Sequence, residues 1–338
     1  MTRLREALLA QSRSCAALGS PFMAQLCRVL ADRLAPGTPL TDRLFAWEGD
    51  VSSNGASLPL RLAGALHALK RRGDAALAAV YPPATVDDDT LWQAVAGAMT
   101  REAAFIDGFL DTAPQTNEVR RSAALIAVAL YLAERHPLPL ILSEPGASAG
   151  LNLSFDRYAL IAGKARREPR DAALTLAPDW RGPPPPDLPL SVAERRGCDL
   201  NPLDRGRDAD RLFAYLWPDQ PDREALTRAA LALPAPRVDR EDAADWLAAR
   251  LTPRLDHLHL IFHTIAWQYF PAAVQTRART LIETAGAAAT TDAPLAWFGM
   301  EADGTGPGAA LTLRLWPGNM TLPMGRADFH GRWIDWRP

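Results

Sequence analysis

The run Leu138-Pro-Leu-Ile-Leu-Ser-Glu-Pro-Gly-Ala-Ser-Ala-Gly-Leu-Asn-Leu-Ser-Phe-Asp-Arg-Tyr158 changes character at one point, and at that point the chain is equipped for chemistry. An apolar stretch ends in an acid, Glu144. Gly146, Ser148 and Gly150 follow at every second position, and a helical pattern then begins. The order predicts a strand, a tight turn and a helix. Residues without bulky side chains let the turn backbone approach a ligand, and a helix start offers free N–H donors to an anionic or polar group. A mononucleotide-type ligand suits such a turn.

Three readings of Gly146-Ala-Ser-Ala-Gly150 compete. In the first it is the glycine-rich turn of an S-adenosylmethionine-dependent methyltransferase, with Glu144 closing the first strand beside the methionine end of the ligand. In the second the letters G-x-S-x-G spell a serine-hydrolase elbow, with Ser148 as nucleophile and His263 or His330 as base. An anionic Glu144 beside the turn opposes both the developing oxyanion and the ionisation of Ser148. In the third the small residues serve only close packing.

Later strand ends favour the first reading. Asp199 stands where a second strand ends, and a carboxylate there can accept hydrogen bonds from both ribose hydroxyls; the competing role is a turn or helix cap before Asn201-Pro202. Asp242 occupies the corresponding place after a third strand, where it could face an adenine amino group. Asp199 follows Glu144 by 55 positions, against the ~20 usual between such a turn and its ribose acid. An insertion must account for the excess.

His257-Leu-His-Leu-Ile-Phe-His-Thr-Ile-Ala-Trp-Gln-Tyr269 begins as a buried strand and ends in polar and aromatic residues at the predicted carboxyl edge of the sheet, where ligands of open α/β folds sit. His263 and Tyr269 are the candidate catalytic residues, His263 as general base, and Trp267 and Gln268 are candidates to meet the methyl acceptor. The alternative is a capping histidine with aromatics plugging the sheet end. Asn117, Glu118 and Asn152 complete the expected substrate side, although Asn117 and Glu118 also suit a helix start. His257, His259 and His263 share a strand face but spread too far along it for one tetrahedral metal site, so no metal is expected.

These groups need a scaffold of two kinds. Up to about Pro137 apolar residues recur at helical spacing, as in Phe22, Leu26, Val29, Leu30 and Leu34 or Leu62, Leu66 and Leu69. From Leu138 the pattern alternates, with strands expected at 138–144, 190–199, 235–239, 257–265, 293–301, 310–316 and 332–336 and helices between most of the early ones. That implies an α/β fold: a helical N-terminal domain (1–116), then a Rossmann-like, mainly parallel sheet with an antiparallel end (117–338), with an insertion at about 164–190. The 338 residues, 48% apolar and 22% charged, are those of a globular protein with a sizeable core. A net charge of −2 gives no field to draw nucleic acid or anionic membranes. No apolar run reaches transmembrane length, and Cys15, Cys27 and Cys198 are too few and too scattered for a disulfide framework, so a cytoplasmic protein is expected.

Gln115-Thr-Asn-Glu-Val119, the turn through Leu153 with Asp156-Arg-Tyr158, Asp199-Leu-Asn-Pro-Leu-Asp204, Trp217-Pro-Asp-Gln220 and His330-Gly-Arg-Trp333 together resemble the bacterial domain-of-unknown-function family 2332, as do Gly19-Ser-Pro-Phe22 and Leu60-Arg-Leu-Ala-Gly-Ala-Leu-His67. The resemblance spans essentially the whole chain and implies a helical region joined to a methyltransferase-like half, without an activity. Ser148 departs from the methyltransferase pattern by replacing its middle glycine. The functional expectation is an S-adenosylmethionine-binding protein that methylates a small molecule. The alternatives are a non-catalytic binding or interaction module on a decayed methyltransferase fold, and the serine hydrolase.

Overall fold

The computed structural model describes residues 2–338, which form two compact units. Residues up to Thr116 join Gly206–Glu224 in one; Asn117–Arg205 and Ala225–Pro338 form the other. Gly206–Glu224 thus belongs with the helical residues, which corrects its assignment to the sheet-bearing half.

Helices α1 (Arg3–Ala17), α2 (Pro21–Arg33), α3 (Pro39–Ala46), α4 (Leu58–Arg71), α5 (Ala75–Val80), α6 (Asp88–Arg101) and α7 (Ala103–Leu110) form the body of the first unit. Leu8, Leu26, Leu30, Leu62, Leu66, Leu91 and Val95 lie in its core, as their spacing requires. The returning segment is held by hydrogen bonds to the start of α2. Asp219 accepts from the Ser20 hydroxyl at 2.6 Å and from the Phe22 N–H at 2.9 Å, and Gln220 Nε2 donates to the carbonyls of Leu18 and Gly19. The first N–H groups of a helix have no intrahelical partner, so a carboxylate brought in from far along the chain is a fitting cap. Gly19-Ser-Pro-Phe22 and Trp217-Pro-Asp-Gln220 are thereby two halves of one structural clasp.

The second unit opens with α8 (Ser122–Arg135), buried at every position from Ser122 to Leu130, as a helix apolar on all faces must be. It leads into β1 (Leu140–Pro145), after which the chain forms β2 (Tyr158–Ala162), β3 (Ala165–Arg167), β4 (Leu174–Leu176), β5 (Asp179–Arg181) and β6 (Val192–Asp199). Beyond α9 (Ala209–Ala214) and α10 (Pro221–Leu231) come β7 (Arg237–Arg240), α11 (Ala243–Arg250), β8 (Leu258–Thr264), α12 (Ala272–Ala287), β9 (Leu295–Glu301), β10 (Ala309–Trp316), β11 (Met320–Ala327) and β12 (Trp333–Trp336).

Among the described residues the main sheet has nine strands in the order β5-β12-β11-β10-β9-β8-β1-β6-β7. From β7 to β9 neighbours are parallel, whereas β9 to β12 run antiparallel, giving the mainly parallel, Rossmann-like sheet with an antiparallel end. The chain moves outward from β1 through β6 to β7, then returns to β1's other side at β8. That reversal makes the carboxyl ends of β1 and β8 a crevice of the kind ligands use. No helix of the described residues is long and apolar enough to cross a membrane.

Two expectations need correction. The segment after the turn is no α-helix: Asn152–Arg157 is a kinked 3-10 stretch broken at Ser154, followed at once by β2. Phe155, Tyr158 and Ile161 prefer strands, and the Tyr158 hydroxyl anchors the segment by donating to the Leu151 carbonyl at 2.6 Å. The insertion, without a helix, carries strands instead: β3 and β4 join β2 in a small second sheet and β5 pairs with β12. Met320–Ala327 is a strand although Pro323 and Gly325 interrupt its pattern; the register shift in its pairing with β10 accommodates them.

On one face α11 and α12 cover the sheet with Trp246, Leu247, Ala278 and Ile282, joined by Trp316 of β10. At Gly286 the approach is close, for a Cβ there would stand 2.4 Å from the Trp316 ring. Gly286→Ala is expected to lower stability by about 1–3 kcal/mol through overpacking, read as a lower urea midpoint at unchanged m-value.

Candidate functional site

Glu144 is the penultimate residue of β1 and is 2% exposed. Behind it the turn is stitched to the end of β6 and the loop that follows. The N–H groups of Gly146 and Ala147 both donate to the Cys198 carbonyl, and Ser148 N–H donates to Asp199 Oδ2 at 2.9 Å. Leu203 N–H donates to the Ser148 carbonyl, while Arg205 donates to the carbonyls of Ala149 and Gly150, each at 3.0 Å. Asn117 Oδ1 accepts the Leu151 N–H at 2.8 Å, and Gly150 N–H donates to Ala147.

The glycines serve this close fit. Gly146 has φ +78°, and a Cβ on it would meet the Ala266 methyl at 2.8 Å; Gly150, at φ +68°, faces Pro236 and Val238 just as tightly. Ser148 holds a left-handed φ of +52° without being glycine, and so does Ile265, at +50°, where the chain leaves β8 and turns Ala266 and Phe270 over the turn. Such a conformation is uncommon outside glycine and unusual for a β-branched residue.

Two polar side-chain atoms at this turn have no hydrogen-bond partner: Glu144 Oε2 and Ser148 Oγ, both buried. Burial, and then the charge of Asp199, push the Glu144 carboxyl well above the usual range, against a hydrogen bond from Asn152 and the more distant positive charges of Arg121 and Arg205. Those cations are committed elsewhere: Arg121 donates to the carbonyls of Phe329 and Thr264, and Arg205 to the turn. Asn152 Oδ1 in turn accepts from the Ser122 hydroxyl at 2.7 Å.

The crevice's other wall carries a second acid. Glu301, at the end of β9, accepts three hydrogen bonds on Oε1, from His263 Nδ1 at 2.7 Å and from the N–H groups of Ala266 and Trp267. Burial raises its pKa, but these donors outweigh burial and hold it below the usual carboxylate range. The indole N–H of Trp297 points at His263 Nε2 at 3.0 Å. An indole N–H only donates, so Nε2 accepts and the ring proton lies on Nδ1. Trp267 stacks on the imidazole with ring centroids 4.8 Å apart.

The structure thus brings Glu144, Gly146, Ser148, Gly150, Asp199, Asn117 and Asn152 into one constellation. Asp199 also accepts the Asn201 N–H, the capping role foreseen as its alternative. Asp242 caps α11, accepting from the N–H groups of Ala244 and Asp245, and Glu118 accepts from the Arg120 N–H. His263 has both nitrogens engaged, whereas Gln268 and Tyr269 are exposed, Tyr269 by 57%. Ser148 Oγ has no partner, so no histidine stands as its base. His330 lies in a turn closed by Asp328, which accepts the His330 N–H at 2.9 Å. Sequence reasoning missed Glu301, Trp297, Arg121 and Ser122; only Glu301 gave a signal, as an acid ending a strand like Glu144.

Because Glu144 binds its proton more tightly folded than unfolded, its contribution to stability is full below the ordinary carboxylate pKa and is lost as pH rises through the native value. Glu144→Gln, which cannot ionise, is expected to abolish that decline: urea midpoints across pH should fall more steeply above the acid range in the parent protein than in the variant.

A family model described as "Uncharacterized protein conserved in bacteria (DUF2332)" matches residues 5–336, and the chain belongs to that family. No curated protein and no solved structure matches it.

Proposed function

We propose that this member of the bacterial family binds S-adenosylmethionine at the carboxyl end of β1 and transfers its methyl group to a small molecule. One observation carries the reading: a buried acid at the sheet's reversal point, with an unpartnered oxygen and no cation of its own. Such an acid is costly to ionise until a positive ligand faces it. S-adenosylmethionine, when bound, supplies an ammonium group and an electrophilic methyl on a cationic sulfur.

The residues fit that group. Glu144 would give up its proton and accept from the ammonium, and the Ser148 hydroxyl would donate or accept beside it. Asp199, held at the end of β6 beside the turn, would be the carboxylate that faces the ribose hydroxyls. Rate enhancement would come from alignment, since His263 offers no free lone pair for proton abstraction. The acceptor is therefore expected to be a thiolate, an unprotonated amine or another nucleophile that attacks before losing a proton. The reading is of a cytoplasmic protein, supported by three free, buried cysteines.

A non-catalytic binding protein on the same fold is the second reading, favoured by the internally satisfied turn and by the engaged His263. Formation of S-adenosylhomocysteine with any acceptor, abolished by Gly146→Arg, would rule it out.

Titration calorimetry with S-adenosylhomocysteine tests both. Binding is expected, weakened by about tenfold or more in Glu144→Gln and Asp199→Asn through loss of charged hydrogen bonds. Absence of heat at millimolar ligand would defeat the shared premise.

A further inference from the structure

Ile265, the first residue past β8, holds a left-handed φ of +50°, a costly conformation for a β-branched side chain. The peptide that precedes it is fixed on both sides: the Ile265 N–H donates to the Met300 carbonyl at 2.8 Å, and the Thr264 carbonyl accepts from Arg121 at 3.0 Å. A return of φ to the ordinary negative range must therefore swing the chain that follows. That chain is tied to Glu301, whose Oε1 accepts from the N–H groups of Ala266 at 3.0 Å and Trp267 at 3.1 Å. Such a swing takes both N–H groups off the carboxylate. Two charge-assisted hydrogen bonds to one oxygen thus offset the cost of the left-handed residue.

Glu301 is itself held in place. His263 Nδ1 donates to the same oxygen at 2.7 Å, and the Trp297 indole fixes the imidazole through its other nitrogen. From α12, Gln275 Nε2 donates to the carbonyls of Trp267 at 3.0 Å and Phe270 at 2.9 Å, fastening the far end of the same short segment. What this segment presses on is the glycine turn after β1. A Cβ on Gly146 would stand 2.8 Å from the Ala266 methyl and 3.4 Å from the Phe270 ring. The turn after β1 is therefore braced by an acid of β9, with β8 lying between the two strands.

We propose that Glu301 is a positioning residue for the ligand turn: its carboxylate latches the strained exit of β8, and the latched segment braces Gly146–Ser148 in the form that receives the ligand. The receiving role rests on the reading of this turn as a cofactor site, whereas the bracing does not.

The test follows amide hydrogen exchange in the full chain labelled with nitrogen-15, without ligand. Glu301→Gln keeps the size of the side chain and removes the charge that three donors share. Exchange at Gly146 and Ala147, whose N–H groups donate to the Cys198 carbonyl, is expected to become about tenfold faster, beyond any change at the amides of β10, which report general loss of stability. Glycine adopts the left-handed conformation freely, so in an Ile265→Gly background the same Glu301→Gln step is expected to speed exchange at the turn by about threefold or less. If Glu301→Gln alone does not fold, its folding in the Ile265→Gly background supports the latch, and failure in both backgrounds overturns it. The latch is also overturned if exchange at the turn is unchanged, rises only as much as at β10, or rises equally in both backgrounds. Titration with S-adenosylhomocysteine then reads the receiving role, with about tenfold weaker binding expected in Glu301→Gln and most of it restored in the double variant. Unchanged affinity overturns that role. A parent protein that binds no S-adenosylhomocysteine defeats the proposed methyl transfer, while the exchange data still decide the latch.

Discussion

Everything at the carboxyl edge of the sheet depends on how the backbone of Gly146–Leu151 is satisfied. A buried turn cannot leave its N–H and carbonyl groups unpaired, because each would cost as much as a lost hydrogen bond with nothing in return. Here the partners come from one place, the end of β6 and the loop to Arg205, with Asn117 closing the far end. The need for those partners fixes the identities of Asp199, Arg205 and Asn117. It also explains why glycines lie where side chains of Ala266, Pro236 and Val238 press in.

Against that background the two acids at the strand ends differ in a physically meaningful way. Glu301 gathers three donors on Oε1 and holds His263, Ala266 and Trp267 in place, so its charge is an internal strut even though its Oε2, like that of Glu144, has no partner. Glu144 has the opposite environment: deep burial, a neighbouring negative charge and one hydrogen bond against it. An acid of the first kind maintains a shape, whereas one of the second kind can change protonation when something cationic arrives. The same contrast separates the two buried histidines, for His263 is engaged at both nitrogens and His259 at only one.

Much of this was legible in the sequence. The helical spacing of Leu62, Leu66 and Leu69, the strand ending at Glu144 and the strand from His257 follow from periodicity, which reports burial directly. The pairing of Ser143 with His259 was not legible, since register between strands 116 positions apart is set by the sheet. Nor was the 3-10 stretch after Gly150, where a helical start gives way to residues that pair as strand. The role of Asp219 was hidden for a related reason: a cap is recognisable when it precedes its helix, and this one follows by nearly the length of a domain.

That distant cap has a consequence for how the protein is made. The helical unit is not contiguous, since Gly206–Glu224 must return to it after β6 has been laid down. On the ribosome α1 to α7 emerge early, yet the start of α2, capped until then by the Ser20 hydroxyl alone, gains its second fastening only when Asp219 and Gln220 have left the exit tunnel. The helical half therefore completes itself only while the sheet is under construction, so its maturation is coupled in time to elongation through the other half. A truncation before Asp219 would release a helical fragment missing this fastening.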